Sequence, residues 1–240
     1  MKNKRLLLTI LVIFLGLGIA GGTYAILSVL LSTTNGSYAK KIECFDINYS
    51  ITNDDNTTTQ LGGNFDGTLF PTSSASSGIS GRVSMSVASS CSVTGTATLY
   101  LNVSTATSTA LLTTTSAHCE DSTTLETKTY YASTSTSKYE TLLYDNSSDC
   151  TTAGGTWVTT GSAIKYAVYT NSSATGSPVA KGYITDSYRG ASTPIYTGFT
   201  VNNTALNLYV FVWMDGYLTD NTYTSLPFDG YIHATITQTE

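Results

Sequence analysis

Ser92-Val93-Thr94-Gly95-Thr96-Ala97-Thr98-Leu99-Tyr100-Leu101-Asn102-Val103-Ser104 decides the fold class. Leu99, Leu101 and Val103 fall on one side of an extended chain, and Thr98, Tyr100 and Asn102 on the other. That is the period of two of a half-buried strand, not the 3.6 of a helix. The same alternation recurs upstream in Phe45-Asp46-Ile47-Asn48-Tyr49-Ser50-Ile51 and in Arg82-Val83-Ser84-Met85-Ser86-Val87. A second short extended piece ends at Leu69-Phe70-Pro71, and residues 72–80, mostly Ser, Ala and Gly, read as a loop. Downstream, extended pieces run over 163–169, 179–184, 195–201, 206–214 and 231–237, with Asn-Ser-Ser, Gly-Ser-Pro, Arg-Gly, Asn-Asn and Asp-Gly between them. Many short strands separated by turn chemistry predict an all-β fold, an antiparallel, jelly-roll-like β-sandwich starting near Ile42.

One segment departs from alternation. In Leu206-Asn207-Leu208-Tyr209-Val210-Phe211-Val212-Trp213-Met214 both sides are apolar from Leu208 onward, which predicts a strand covered on both faces. A loop or helix of the same chain is the expected cover, and a neighbouring subunit the alternative. Residues 106–160 are thin in apolar residues, with a turn at 145–150, another at Gly154-Gly155, and an extended piece opened by Trp157. Their many hydroxyl and β-branched residues disfavour a long helix. Because Cys119 and Cys150 bracket much of it, this stretch reads as an insertion in a single domain spanning 42–240.

The ends of the chain differ in kind. Lys2, Lys4 and Arg5 precede an uncharged run from Leu6 to Leu31, 26 residues long. A cut after Ala25 follows the small Thr23-Tyr24-Ala25 pattern of a secretory signal peptide over 1–25. The whole run, left uncut, is instead long enough for a transmembrane helix with its positive end in the cytoplasm. Either route carries the body across a membrane, and the membrane is then touched only through an uncleaved N-terminal helix. Residues 26–41 form an apolar and then polar spacer. Ile26, Leu27, Ser28, Val29, Leu30 and Leu31 would be awkward on a freed terminus, which makes them candidates for adding a strand to a neighbouring copy.

Composition narrows the function. Of 240 residues, 30 are Ser and 44 are Thr, and only 11% are charged. A net charge of -5, with three of 11 basic residues in the first five positions, excludes an electrostatic footprint for nucleic acid. Scarce His, Asp, Glu and Lys argue against acid–base catalysis. The two histidines, His118 and His233, stand 115 positions apart with no metalloprotease motif, and no nucleophile elbow, phosphate loop or dinucleotide fingerprint occurs. His118 and Cys119, adjacent on a strand, point to opposite faces and do not make a catalytic pair. The acidic turns, Asn53-Asp54-Asp55-Asn56 and Asp215-Gly216 with Asp220-Asn221, lack the spacing of a calcium loop. No cofactor, metal ligand or catalytic residue is assigned. Cys44, Cys91, Cys119 and Cys150 lie 47, 28 and 31 residues apart, unlike metal ligands. In an exported chain they favour disulfides. Three pairings are open, and the sequential one closes two contiguous stretches.

The leader Leu15-Gly16-Leu17-Gly18-Ile19-Ala20-Gly21-Gly22-Thr23-Tyr24-Ala25 resembles those of the TasA/camelysin-like exported proteins of Gram-positive bacteria, and Tyr209 to Asp215 is similar to the long aromatic strand near the end of such domains. The resemblance implies a jelly-roll-like sandwich held at the envelope or secreted into a biofilm matrix of fibres. The four cysteines depart from the cysteine-poor fibre proteins. The expectation is a non-enzymatic cell-surface or extracellular-matrix protein that self-associates or binds envelope components through β-sheet contacts. The alternatives are an adhesin that binds a glycan or other host ligand through Tyr217, Tyr223 and Tyr231, and an exported hydrolase.

Overall fold

The computed structural model describes residues 26–27, 44–52, 58–59, 64–104, 111–133, 138–219 and 223–239. The N-terminal helix expected before Ile26, most of the spacer, and the turn Asn53-Asp54-Asp55-Asn56 lie outside them. Among the described residues no helix is long and apolar enough to cross a membrane.

The first half of the chain contributes strands β1 (Ile26–Leu27), β2 (Phe45–Thr52), β3 (Thr58–Thr59), β4 (Asn64–Leu69), β5 (Pro71–Thr72), β6 (Ile79–Val87) and β7 (Thr94–Val103). Next come β8 (His118–Asp121), β9 (Thr129–Ser133), β10 (Lys138–Leu142), helix α1 (Ser147–Thr152) and β11 (Gly155–Val158). The rest is β12 (Ile164–Tyr169), β13 (Ala180–Tyr183), β14 (Thr193–Val201), β15 (Leu206–Asp215) and β16 (Leu226–Thr239). The protein is all-β, and among the described residues the pairings are antiparallel apart from β5 against β15 and an isolated bridge between Val103 and Arg189.

Two large sheets carry the fold. One runs β1-β16-β7-β14, with β4 also on β16, and the other runs β13-β12-β15-β6-β2-β3, with β5 on the end of β15. Their alternate residues meet in one core: Leu99, Leu101 and Val103 of β7 and Ile232, Ala234 and Ile236 of β16 from one sheet, Val83 and Met85 of β6 and Val210 and Val212 of β15 from the other. All are buried, as period-two patterning requires when one face is dry.

Three readings of the sequence change. The supposed loop at 72–80 holds a single 3-10 turn, Ala75–Ser77, and β6 already begins at Ile79. The turn at 145–150 is the start of α1, because the Asn146 side chain caps it by accepting from the Asp149 N–H at 2.9 Å. The last strand starts at Leu226, five residues earlier than its apolar run suggests, because Leu226 to Tyr231 pair with β4.

The stretch 111–158 adds two small sheets, β9 with β10 and β8 with β11. Its residues 120–127 lie over one end of the two-sided strand, where Glu120 and Leu125 meet Lys165 and Thr127 meets Asp215. Ala167 and Tyr169 of β12 and Phe211 and Trp213 of β15 form a second, smaller cluster with Ala75, on the side of the sheet away from the main core. On that same side the backbone alternation places Lys165 and Asp215.

Candidate functional site

Strand pairing brings two charges together in this covered layer. Lys165 is opposite Trp213, so Asp215, two residues further along β15, is its diagonal neighbour on the same face. Asp215 is held on both sides of its strand: its N–H donates to the Ala163 carbonyl at 2.7 Å, and β5 pairs with it from the other flank. Lys165 Nζ donates to Asp215 Oδ2 at 2.7 Å.

The cover completes the group. His118 and Glu120, two apart on β8, project to one side, while Cys119 between them turns to the other and bonds to Cys150. Glu120 Oε1 accepts from Lys165 Nζ at 2.7 Å and lies 2.8 Å from His118 Nε2, and Glu120 Oε2 accepts from the Tyr183 hydroxyl. Thr127 Oγ1 donates to Asp215 Oδ2 at 2.6 Å. The Leu125 carbonyl takes a further Lys165 hydrogen at 2.7 Å, from a backbone turned into the left-handed region at φ 64°. The remaining oxygen, Asp215 Oδ1, accepts the backbone N–H groups of Tyr217 at 3.0 Å and Leu218 at 3.3 Å.

His118, Glu120 and Lys165 have no solvent exposure and Asp215 has 3%. Such burial is tolerated only when every charge is paired and hydrogen-bonded. The hydrogen bonds meet that condition. The Ser116 carbonyl, 2.7 Å from His118 Nδ1, can only accept, so Nδ1 donates to it. Nε2 faces Glu120 Oε1, and the Lys165 hydrogens find acceptors in Glu120 Oε1, Asp215 Oδ2 and the Leu125 carbonyl. Burial alone would raise the Glu120 carboxyl, but the hydrogen bond from His118, the charge and hydrogen bond of Lys165, and Tyr183 outweigh it and hold it below 4.5. Burial first, and then Glu120, push the Tyr183 hydroxyl up.

Sequence reading did not find this group. In the sequence Lys165 is a lone cation inside an apolar run, and Asp215 reads as a turn residue. The turn is real, since Oδ1 caps it, but Oδ2 is committed to Lys165 and Thr127, so Asp215 is no free oxygen ligand. Asp220 and Asn221 lie outside the described residues. The available signal was His118-x-Glu120, two ionisable groups on one strand face beside a buried cysteine.

The cysteines are joined sequentially, Cys44 to Cys91 and Cys119 to Cys150, each with Cα atoms 5.6 Å apart. The second bond ties β8 to α1, and Gly155 lets β11 pass: a Cβ there would lie 2.6 Å from Cys119 Sγ and 2.9 Å from Cys150 Sγ. Of the spacer residues, Ile26 and Leu27 pair with Thr237 and Ile236 of the same chain, and Ser28 to Leu31 lie outside the described residues. The three tyrosines proposed as a sugar platform are not free-standing. Tyr217 and Tyr223 pack against the main core, and Tyr231 stacks on His233 at 5.4 Å. His233 is itself buried against Tyr100, at 4.8 Å, and burial lowers its pKa. No family model, curated protein or solved structure matches this chain.

Proposed function

We propose that this is a non-enzymatic exported protein of the cell surface or extracellular matrix, built on a jelly-roll-like sandwich of the TasA/camelysin type. It acts through β-sheet contacts with its own copies or with other envelope components. One observation carries this reading: among the described residues, the buried group of ionisable side chains is sealed from solvent and saturated by partners of the same chain, so it offers nothing to an outside substrate. Two disulfides closing loops of 47 and 31 residues support an oxidising location outside the cytoplasm.

The pairing of Ile26–Leu27 with the end of β16 supplies the assembly route. The same register, donated by the terminus of a neighbouring copy, links subunits by strand exchange. The test is the size distribution of protein beginning at Ile26 against protein beginning at Ser32, by light scattering and electron microscopy. Large assemblies for the longer form alone support the reading. A longer form that stays monomeric over concentration and pH while retaining a glycan on an array replaces it with the adhesin.

A further inference from the structure

The geometry points to a covalent modification site: we propose that Lys165 and Asp215 condense into an intramolecular amide that cross-links β12 to β15, with Glu120 as the catalytic proton relay. Three features of the buried cluster converge on this step. Nζ lies 2.7 Å from Asp215 Oδ2 and 2.7 Å from Glu120 Oε1, so nucleophile, acceptor and base are already in contact. Asp215 Oδ1 sits under the N–H groups of Tyr217 and Leu218, two donors aimed where negative charge grows when an amine adds to a carboxyl carbon. Thr127 and Lys165 both donate to the other oxygen, Oδ2, which is the one that must leave.

The step balances without any co-reactant. One ammonium hydrogen passes along the Nζ–Oδ2 hydrogen bond, giving a neutral amine and a neutral carboxylic acid. Nζ adds to Cγ, forming the C–N bond and placing the charge on Oδ1. Glu120 takes a second hydrogen from the attacking nitrogen and hands it to Oδ2. The Cγ–Oδ2 bond breaks, Oδ2 departs as water, and the third hydrogen remains on the amide. Glu120 ends as it began, a carboxylate paired with His118, and the net buried charge is unchanged because Lys165 and Asp215 lose opposite charges together.

In open water this condensation runs backwards, because water solvates the two ions well and is present in excess. Burial reverses both conditions: the ions lose their solvation, and once the single released water has escaped to solvent the buried amide meets no excess of water to hydrolyse it. Fixed contact between the reacting atoms supplies a large effective concentration. Glu120 is the less fitting acceptor, since its oxygens are held by His118 and Tyr183 side chains and no backbone N–H pair faces either of them among its described contacts.

The test is the intact mass of the purified, folded full chain after denaturation and reduction of both disulfides. The expected mass is about 18 Da, one water, below that of the sequence from its observed N-terminus. Protease digestion then yields a branched peptide joining the segment around Lys165 to the segment around Asp215. Glu120→Gln and Lys165→Arg should each remove the loss. Circular dichroism and disulfide content should show that the variants still fold. A folded wild-type chain at full sequence mass overturns the proposal whatever the variants do. A branch at any other pair of residues overturns it too, and a Glu120→Gln chain that still loses water removes Glu120 from the mechanism.

Discussion

Replacing Cys119 and Cys150 together by alanine tests how the cover is held. Alanine is chosen over serine because both positions are fully buried and would leave a hydroxyl without water. The bond closes a loop of 31 residues, and opening it returns chain entropy to the unfolded state worth about 3.7 kcal/mol. The void left by two sulfurs beside Gly155 adds about 1 kcal/mol. The expected loss is therefore about 4–5 kcal/mol, read from the midpoint of urea unfolding at unchanged slope. Removing Cys44–Cys91, with its loop of 47 residues, costs a similar amount, since loop length enters only through its logarithm. The two differ in where the damage falls. Cys119 lies between His118 and Glu120 on β8, so its loss should raise amide exchange in β8 and β11 ahead of β7 and β16. A stability change below about 1 kcal/mol, or exchange that rises evenly over both large sheets, would refute the reasoning.

Gly78→Ala should lower stability by about 2–3 kcal/mol and depress the thermal midpoint, because the new Cβ would lie 2.2 Å from the Val212 carbonyl oxygen and 2.9 Å from Trp213 Cβ. Tyr183→Phe removes a hydrogen bond to a buried carboxylate and should cost about 2 kcal/mol in chemical denaturation, with circular dichroism unchanged. Acid titration separates two glutamates. Glu120 is held below its unfolded value of 4.5, so its contribution is present above that pH and disappears as pH falls through the folded value. Glu120→Gln should flatten stability over that acid range. Glu126 is raised, chiefly by burial, so its contribution is full below 4.5 and is lost as pH rises through the folded value. Glu126→Gln should stabilise the protein at pH 7, as followed by urea midpoints from pH 2 to pH 7.

The strands were legible where one face is dry and the other wet. Leu99, Leu101 and Val103 alternate with polar partners and are all buried, and the two-sided run ending at Met214 announced its own cover. The cover itself was not legible as structure. It binds the sheet through Glu120, Thr127 and the Leu125 carbonyl, and is held together internally by a disulfide, more than through an apolar stripe, so residues 106–160 leave little periodicity to read. The charged cluster was hidden for a related reason. Hydrophobic patterning scores Lys165 as an interruption and Asp215 as a turn, and only strand register shows that they are diagonal neighbours.

The cover also fixes an order of events during biogenesis. A chain that emerges amino end first presents β8 and the Cys119–Cys150 loop before β12, and β12 before β15. Glu120 and His118 thus precede Lys165 along the chain, and Lys165 precedes its second anion, Asp215, by 50 residues. Until Asp215 arrives, the half-built layer leaves Lys165 short of one acceptor and a strand edge uncovered, the state most exposed to proteases and to pairing with a neighbour. Docking of β15 closes both at once, making the last apolar strand before β16 the latch of the whole layer.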